Sequence, residues 1–181
     1  MGCSWCDTRQ SWPQSAHPQQ PISTLTDRVA EAVAEGAGFV VITGGEPLHH
    51  DLGPLCQALQ TVQLPRRAGG GPVPLHLETS GVDPLSGRFD WITLSPKRHR
   101  PPTSELLSAC QELKVVVEGP EDLVFAEAMA EAASQRSGPG PLLLLQPCWP
   151  AEQGRQLAIE HVIAHPLWRL SLQTHKWLGV R

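Results

Sequence analysis

The chain begins Met1-Gly2-Cys3-Ser4-Trp5-Cys6-Asp7-Thr8 and, after an apolar run, reads Thr43-Gly44-Gly45-Glu46-Pro47. Two thiols spaced Cys-x-x-Cys can ligate a metal cluster, form half of a zinc site, or cycle between thiol and disulfide. No second Cys-x-x-Cys is present to complete a zinc ribbon. A Gly-Gly-Glu turn at the end of a strand can present bare backbone to a small zwitterion. Equally, glycines there can serve only to permit positive φ, with Glu46 a surface carboxylate.

Other polar groups recur at intervals. Glu78-Thr79-Ser80-Gly81 and Ser95-Pro96-Lys97 each follow a short apolar run, and Lys97, Arg98 and Arg100 could be simply solvated. His161 and His165 have the i, i+4 spacing of a zinc-binding helix, but no Glu follows His161 to make the hydrolytic motif, so they read as a solvated or capping pair. In His49-His50-Asp51 the aspartate reads as a helix N-cap and the histidines as loop residues. Cys56 and Cys110 lie among apolar helical residues and read as small buried side chains. Cys148 follows a strand.

The elements that must position these groups alternate. Helical spacing covers residues 24–35, with Gly36 as the stop, and 51–62, 104–111, 120–133 and 151–164. Strands are expected at 39–42, 75–78, 90–94, 113–117, 142–145 and 168–172; runs such as Phe39-Val40-Val41-Ile42, apolar throughout, suit buried parallel strands. Residues 66–72, with three consecutive glycines, read as the clearest flexible loop. Six strands, most separated by helices, place their polar motifs just past the strands' C-terminal ends, where parallel α/β sheets and barrels carry their sites. A partial (β/α) barrel and a doubly wound sheet both give this pattern, and no repeat or domain boundary is visible.

Composition bounds the function. The chain has 181 residues, 40% hydrophobic and 18% charged, as an ordinary globular domain does. A net charge of −4 argues against a broad nucleic-acid surface and leaves a small anionic substrate possible if cations gather locally. Five scattered cysteines and the lack of a signal peptide fit reduced, cytoplasmic thiols. No apolar run approaches the roughly 20 residues that cross a membrane.

Taken together, the motifs resemble the 7-carboxy-7-deazaguanine synthases, radical S-adenosylmethionine (SAM) enzymes of the queuosine pathway. The resemblance rests on Cys3-Ser4-Trp5-Cys6-Asp7-Thr8, Thr43-Gly44-Gly45-Glu46-Pro47-Leu48, Glu78-Thr79-Ser80-Gly81, Ser95-Pro96-Lys97, Glu112-Leu113-Lys114-Val115-Val116-Val117 and Ser171-Leu172-Gln173-Thr174-His175-Lys176-Trp177-Leu178-Gly179, which run the length of the chain. It implies one α/β domain over residues 1–181, a partial (β/α) barrel of the radical-SAM type lacking its first strand. It implies a lyase that converts 6-carboxy-5,6,7,8-tetrahydropterin to 7-carboxy-7-deazaguanine and releases ammonia.

Residue by residue, the resemblance makes Cys3 and Cys6 ligands of a [4Fe–4S] cluster and Thr8 a ligand of Mg²⁺. Gly45, Ser95, Pro96, Lys97, Gln146, Pro147, Cys148 and Trp149 would bind SAM, and Thr43 and Arg181 would face the pterin. The implied partners are the pterin and a flavodoxin- or ferredoxin-like electron donor, with a cytoplasmic homodimer as the assembly and neither nucleic acid nor membrane. Such clusters take three cysteines, commonly as Cys-x3-Cys-x2-Cys, and that pattern puts the third two positions before Met1. The native protein is therefore expected to extend upstream by a few tens of residues. A glycyl-radical activating enzyme shares the cysteine pattern and the Gly-Gly-Glu turn, although Cys-Asp-Thr and Ser-Pro-Lys speak against it. If Met1 is the true start, a non-catalytic binding protein that keeps the pocket is the alternative.

Overall fold

A computed structural model describes residues 17–149 and 151–179. Its strands form a six-stranded sheet in the sequential order β1 (Val40–Ile42), β2 (Leu75–Thr79), β3 (Trp91–Leu94), β4 (Glu112–Val117), β5 (Leu142–Pro147) and β6 (Trp168–Leu170). β1 with β2, β3 with β4, β4 with β5 and β5 with β6 all pair in parallel. This is the expected α/β class, and the open sheet is consistent with a partial barrel. No helix among the described residues is long and apolar enough to cross a membrane.

The chain groups into two compact units. The first runs to Thr79 and includes Asp83–Ile92; the second comprises Ser80–Val82 and the chain from Thr93 onward.

In the first unit, α1 (Ile22–Glu35) ends where Gly36 takes φ +116°, and the Ala37 N–H reaches back to Ala32 at 2.9 Å. A side chain would strain that left-handed turn, which is why the glycine marks the stop. β2 alternates buried Leu75, Leu77 and Thr79 with half-buried His76 and Glu78. α2 spans only Gly53–Leu59. Pro54 suits a first turn because its missing N–H would have had no intrahelical partner. The loop at residues 66–72 is more ordered than its glycines suggest. A 3₁₀ turn at Arg66–Ala68 is followed by three glycines at positive φ, and Leu64 N–H bonds Gly71 O at 2.8 Å.

In the second unit, β4 buries Leu113, Val115 and Val117 on one face, and Leu145 of β5 is fully buried. α3 (Ser104–Ala109) begins at Thr103, whose hydroxyl accepts the Leu106 N–H at 3.3 Å. α4 (Pro120–Ser134) starts on Asp122, whose Oδ2 accepts the Glu118 and Gly119 N–H groups at 2.9 and 3.0 Å. The carboxylate thereby satisfies donors at a terminus that also favours negative charge. α5 (Glu152–Ala164) lies so close to the end of β4 that a Cβ placed on Gly154 would stand 2.2 Å from Val117 O. A final short helix, α6 (Thr174–Leu178), forms where the sequence suggests only a polar strand end.

Candidate active site

In the first unit the Gly-Gly-Glu turn follows β1 directly. Gly44 adopts φ +140°, a conformation that penalises any side chain. Gly45 has no such constraint, yet among the described residues a Cβ there would find nothing within 4 Å. Thr43 and Gly45 are exposed, whereas Glu46 is buried at 6% exposure. The Glu46 carboxylate accepts the Leu48 N–H at 3.2 Å and the Thr79 hydroxyl at the end of β2 in a very short bond. Glu46 is therefore a structural post, not the surface carboxylate that a glycine turn alone suggests. Its bond to Thr79 ties two polar motifs that lie 33 residues apart. His49, expected in a loop, ends a 3₁₀ turn at Pro47–His49, and its Nδ1 lies 2.5 Å from Asp83 Oδ2. Asp51 is expected to cap α2, but the N-cap position belongs to Leu52. Asp51 Oδ1 instead accepts the Gly53 N–H at 2.9 Å from one residue further upstream.

In the second unit Ser95-Pro96-Lys97 follows β3. Pro96 is buried, Ser95 and Lys97 are half-buried, and Lys97 Nζ donates to Ser95 Oγ at 2.8 Å. Arg98, a candidate for plain solvation, docks instead on the start of α4. Its Nε lies 2.9 Å from Asp122 Oδ1 and its Nη2 3.1 Å from Glu121 Oε1. These ion pairs anchor the C-terminal side of the Ser-Pro-Lys turn.

Past β5 lies a cleft of about 140 Å³ lined by Pro147, Cys148, Trp149, Ala151, Arg155, Ser171, Leu172 and Gln173. The structure brings Pro147, Cys148 and Trp149 together on this cleft. Gln146 stays in the sheet, paired in register with Val116, and does not line it. The Cys148 N–H donates to Val117 O at 2.8 Å, the same carbonyl against which Gly154 packs. Burial pushes the Cys148 thiol pKa up, with Glu118 and Asp122 adding to the rise and Lys176 opposing it. The thiol is thereby kept neutral and suited to packing, not to nucleophilic chemistry.

Burial also raises Cys56, and it pushes Cys110 up to about 11. All three described cysteines are buried and free. None is poised as a thiolate ligand. Cys3, Cys6, Thr8 and Arg181 lie outside the described residues.

The sequence reading misses the Glu46–Thr79 and Arg98–Asp122 contacts, which arise from separations that no local pattern reports. Of the histidine pair, expected to be solvated or capping, His165 is exposed and caps α5, its N–H bonding His161 O at 2.9 Å, whereas the solvated reading fails for His161. His161 is only 10% exposed, with Nε2 2.8 Å from Glu127 Oε1, so it is not solvated.

No family model matches the chain. The 7-carboxy-7-deazaguanine synthase of Prochlorococcus marinus is 47% identical over 192 residues, covering 99% of this chain and 84% of its own. That of Synechocystis sp. is 46% identical over 179 residues, covering 99% and 78%. The crystal structure of QueE from Escherichia coli matches with a TM-score of 0.70 at 29% identity, covering 95% of this chain and 80% of that one. With near-complete coverage at these identities, the chain belongs to the 7-carboxy-7-deazaguanine synthase family.

Proposed function

We propose that the chain is a radical-SAM lyase that converts 6-carboxy-5,6,7,8-tetrahydropterin to 7-carboxy-7-deazaguanine with release of ammonia. The observation that carries this reading is the Gly44-Gly45 turn. The Glu46 carboxylate that follows it is buried and bonded to Leu48 and Thr79, while Gly45 has open space among the described residues, a surface suited to the amino and carboxylate groups of SAM. In the second unit, the Ser95 hydroxyl, the Lys97 ammonium and a cleft edged by Pro147, Cys148 and Trp149 are groups that the family resemblance assigns to SAM. Trp149, 41% exposed, is the aromatic residue on this cleft.

Cys3 and Cys6 are proposed to hold the [4Fe–4S] cluster, and Thr8 a Mg²⁺ that would orient the substrate carboxylate. Their chemistry suits those metals, since thiolates select iron–sulfur clusters and hydroxyl oxygen suits Mg²⁺. A third thiolate would come from none of Cys56, Cys110 and Cys148, whose thiols are buried and held neutral. The cluster and SAM supply the radical chemistry; the chain's residues bind, orient and exclude water. Thr43 and Arg181 are assigned to the substrate and Gln146 to SAM by resemblance to the family. A flavodoxin- or ferredoxin-like protein would deliver the electron to a cytoplasmic homodimer.

The test pairs product formation with one substitution. Anaerobically reconstituted protein given the pterin, SAM, Mg²⁺ and a reductant should accumulate 7-carboxy-7-deazaguanine and ammonia in equal amounts, read by mass spectrometry. SAM consumption without that product overturns the reaction. Gly45→Ala meets no clash and no positive φ, so it should melt with the wild type. It should nevertheless weaken SAM binding about tenfold, or about 1.4 kcal/mol. Unchanged SAM affinity in this variant removes Gly45 from the site.

A further inference from the structure

At the end of α5 farther from the cleft, Glu127 of α4, His161 of α5 and its C-cap His165 converge. Each offers a ligand atom within 4.8 Å of the others. The carboxylate and both imidazoles are also oriented by neighbours. Trp168 Nε1 donates to Glu127 Oε1 at 2.9 Å, and His161 Nε2 lies 2.8 Å from the same oxygen. The two imidazole rings stack with centroids 4.0 Å apart at 15°. His165 Nδ1 lies 3.0 Å from the His161 carbonyl oxygen, which can only accept. That bond puts the His165 proton on Nδ1 and leaves its Nε2 lone pair uncommitted.

We infer that Glu127, His161 and His165 form a binding site for a zinc-class divalent ion, separate from the cluster and independent of the proposed reaction. Two imidazoles and one carboxylate select a borderline metal over Ca²⁺ or Mg²⁺, which prefer all-oxygen shells. Zinc bonds of roughly 2.0–2.2 Å in a tetrahedron set ligand atoms about 3.3 Å apart, so modest side-chain rotations close the observed spacing. The outer contacts are those that metal-bound histidines and carboxylates usually make, an N–H on a backbone carbonyl and a hydrogen bond on the carboxylate. On binding, His161 takes the neutral tautomer with its proton on Nδ1, exchanged through solvent from Nε2, so that Nε2 and the Glu127 carboxylate both turn to the ion. Water would fill the fourth position. The ion would clip α4 to α5 where the chain turns into β6.

The test uses the full chain with Cys3→Ser and Cys6→Ser, so that the terminal thiols cannot hold zinc. Equilibrium dialysis against zinc chloride should leave about one ion per chain. Zinc should also raise the melting temperature, as any ligand of the folded state does. Adding His165→Gln, at an exposed helix end, should abolish both effects while circular dichroism stays unchanged. Glu127→Gln, which keeps an oxygen for Trp168, should do the same. No stoichiometric zinc in the parent, or equal retention by both variants, overturns the assignment.

Discussion

Replacing Gly154 with alanine tests whether the close approach of α5 to β4 holds this part of the fold. In most helices the change is favourable by about 1 kcal/mol, because glycine loses more backbone freedom on folding. Here the added Cβ would lie 2.2 Å from Val117 O, 3.0 Å from Val117 C and 3.1 Å from Glu118 Cα, all backbone atoms that cannot rotate away. Ordinary contact needs roughly 3.5 Å, so α5 must retreat by about 1 Å. Overpacking of that kind costs about 1–3 kcal/mol. Val117 O also accepts the Cys148 N–H, and disturbing that bond adds about 1 kcal/mol. Set against the helix gain, the net loss is about 2 kcal/mol, or a melting temperature about 4–8 °C lower in a chain of this size. Differential scanning calorimetry of the variant beside Gly140→Ala reads the effect. Gly140 has open space and no positive φ, so alanine there should leave stability level or slightly raised. A Gly154→Ala protein that melts at or above the wild type refutes the argument, because helix propensity would then have outweighed the contact.

Three further outcomes follow from the same geometry. Glu46→Ala removes the carboxylate that Leu48 and Thr79 donate to and should cost about 1–3 kcal/mol in urea unfolding. Glu46→Gln retains an acceptor oxygen and should lose less; equal losses would show that the hydrogen bonds are not what Glu46 contributes. Burial raises the Cys110 thiol from 9.0 to about 11, so the folded state favours the neutral form. Its contribution is complete below pH 9 and drains away as pH climbs towards 11, where the unfolded chain ionises first. Wild type should therefore lose denaturant resistance over that range faster than Cys110→Ala, and parallel curves would refute the linkage. Arg98→Ala frees the Ser-Pro-Lys turn from α4 and should weaken SAM binding more than it lowers stability, since the ion pairs are half-exposed. A stability loss with unchanged SAM affinity would place Arg98 in the scaffold alone.

Much of the fold was legible because its signals are local. Gly36 stops α1, Pro120 opens α4, and the apolar runs at 113–117 and 142–145 become β4 and β5. The boundaries move where a partner intervenes. β3 begins at Trp91, not at residue 90, because the Asp90 carboxylate leaves the strand to accept the Leu75 N–H at 2.9 Å. β5 runs on through Gln146 and Pro147 because Val116 and Val117 lie opposite them. Tertiary pairing thus extends a strand past its hydrophobic pattern. The site motifs were legible as residue types, but their supports were not. Glu46 to Thr79, Gly154 to Val117 and His161 to Glu127 are each contacts between residues more than 30 positions apart. No periodicity encodes such meetings, so the sequence leaves open a surface carboxylate at Glu46 and a solvated ring at His161.

The buried anchoring of the Gly-Gly turn bears on the thermodynamics of recognition. A loop of exposed glycines would ordinarily sample many conformations and surrender them on meeting a ligand, which erodes affinity. Because Glu46 ties the segment to its own 3₁₀ turn and to the end of β2, that ordering belongs to folding. The binding proposed at Gly45 then approaches a lock already cut, and its entropy loss is confined to the incoming molecule and a few side chains. Association of this kind is quick and changes backbone shape little, so hydrogen exchange at Leu48 should be slow before any ligand arrives and nearly as slow afterwards.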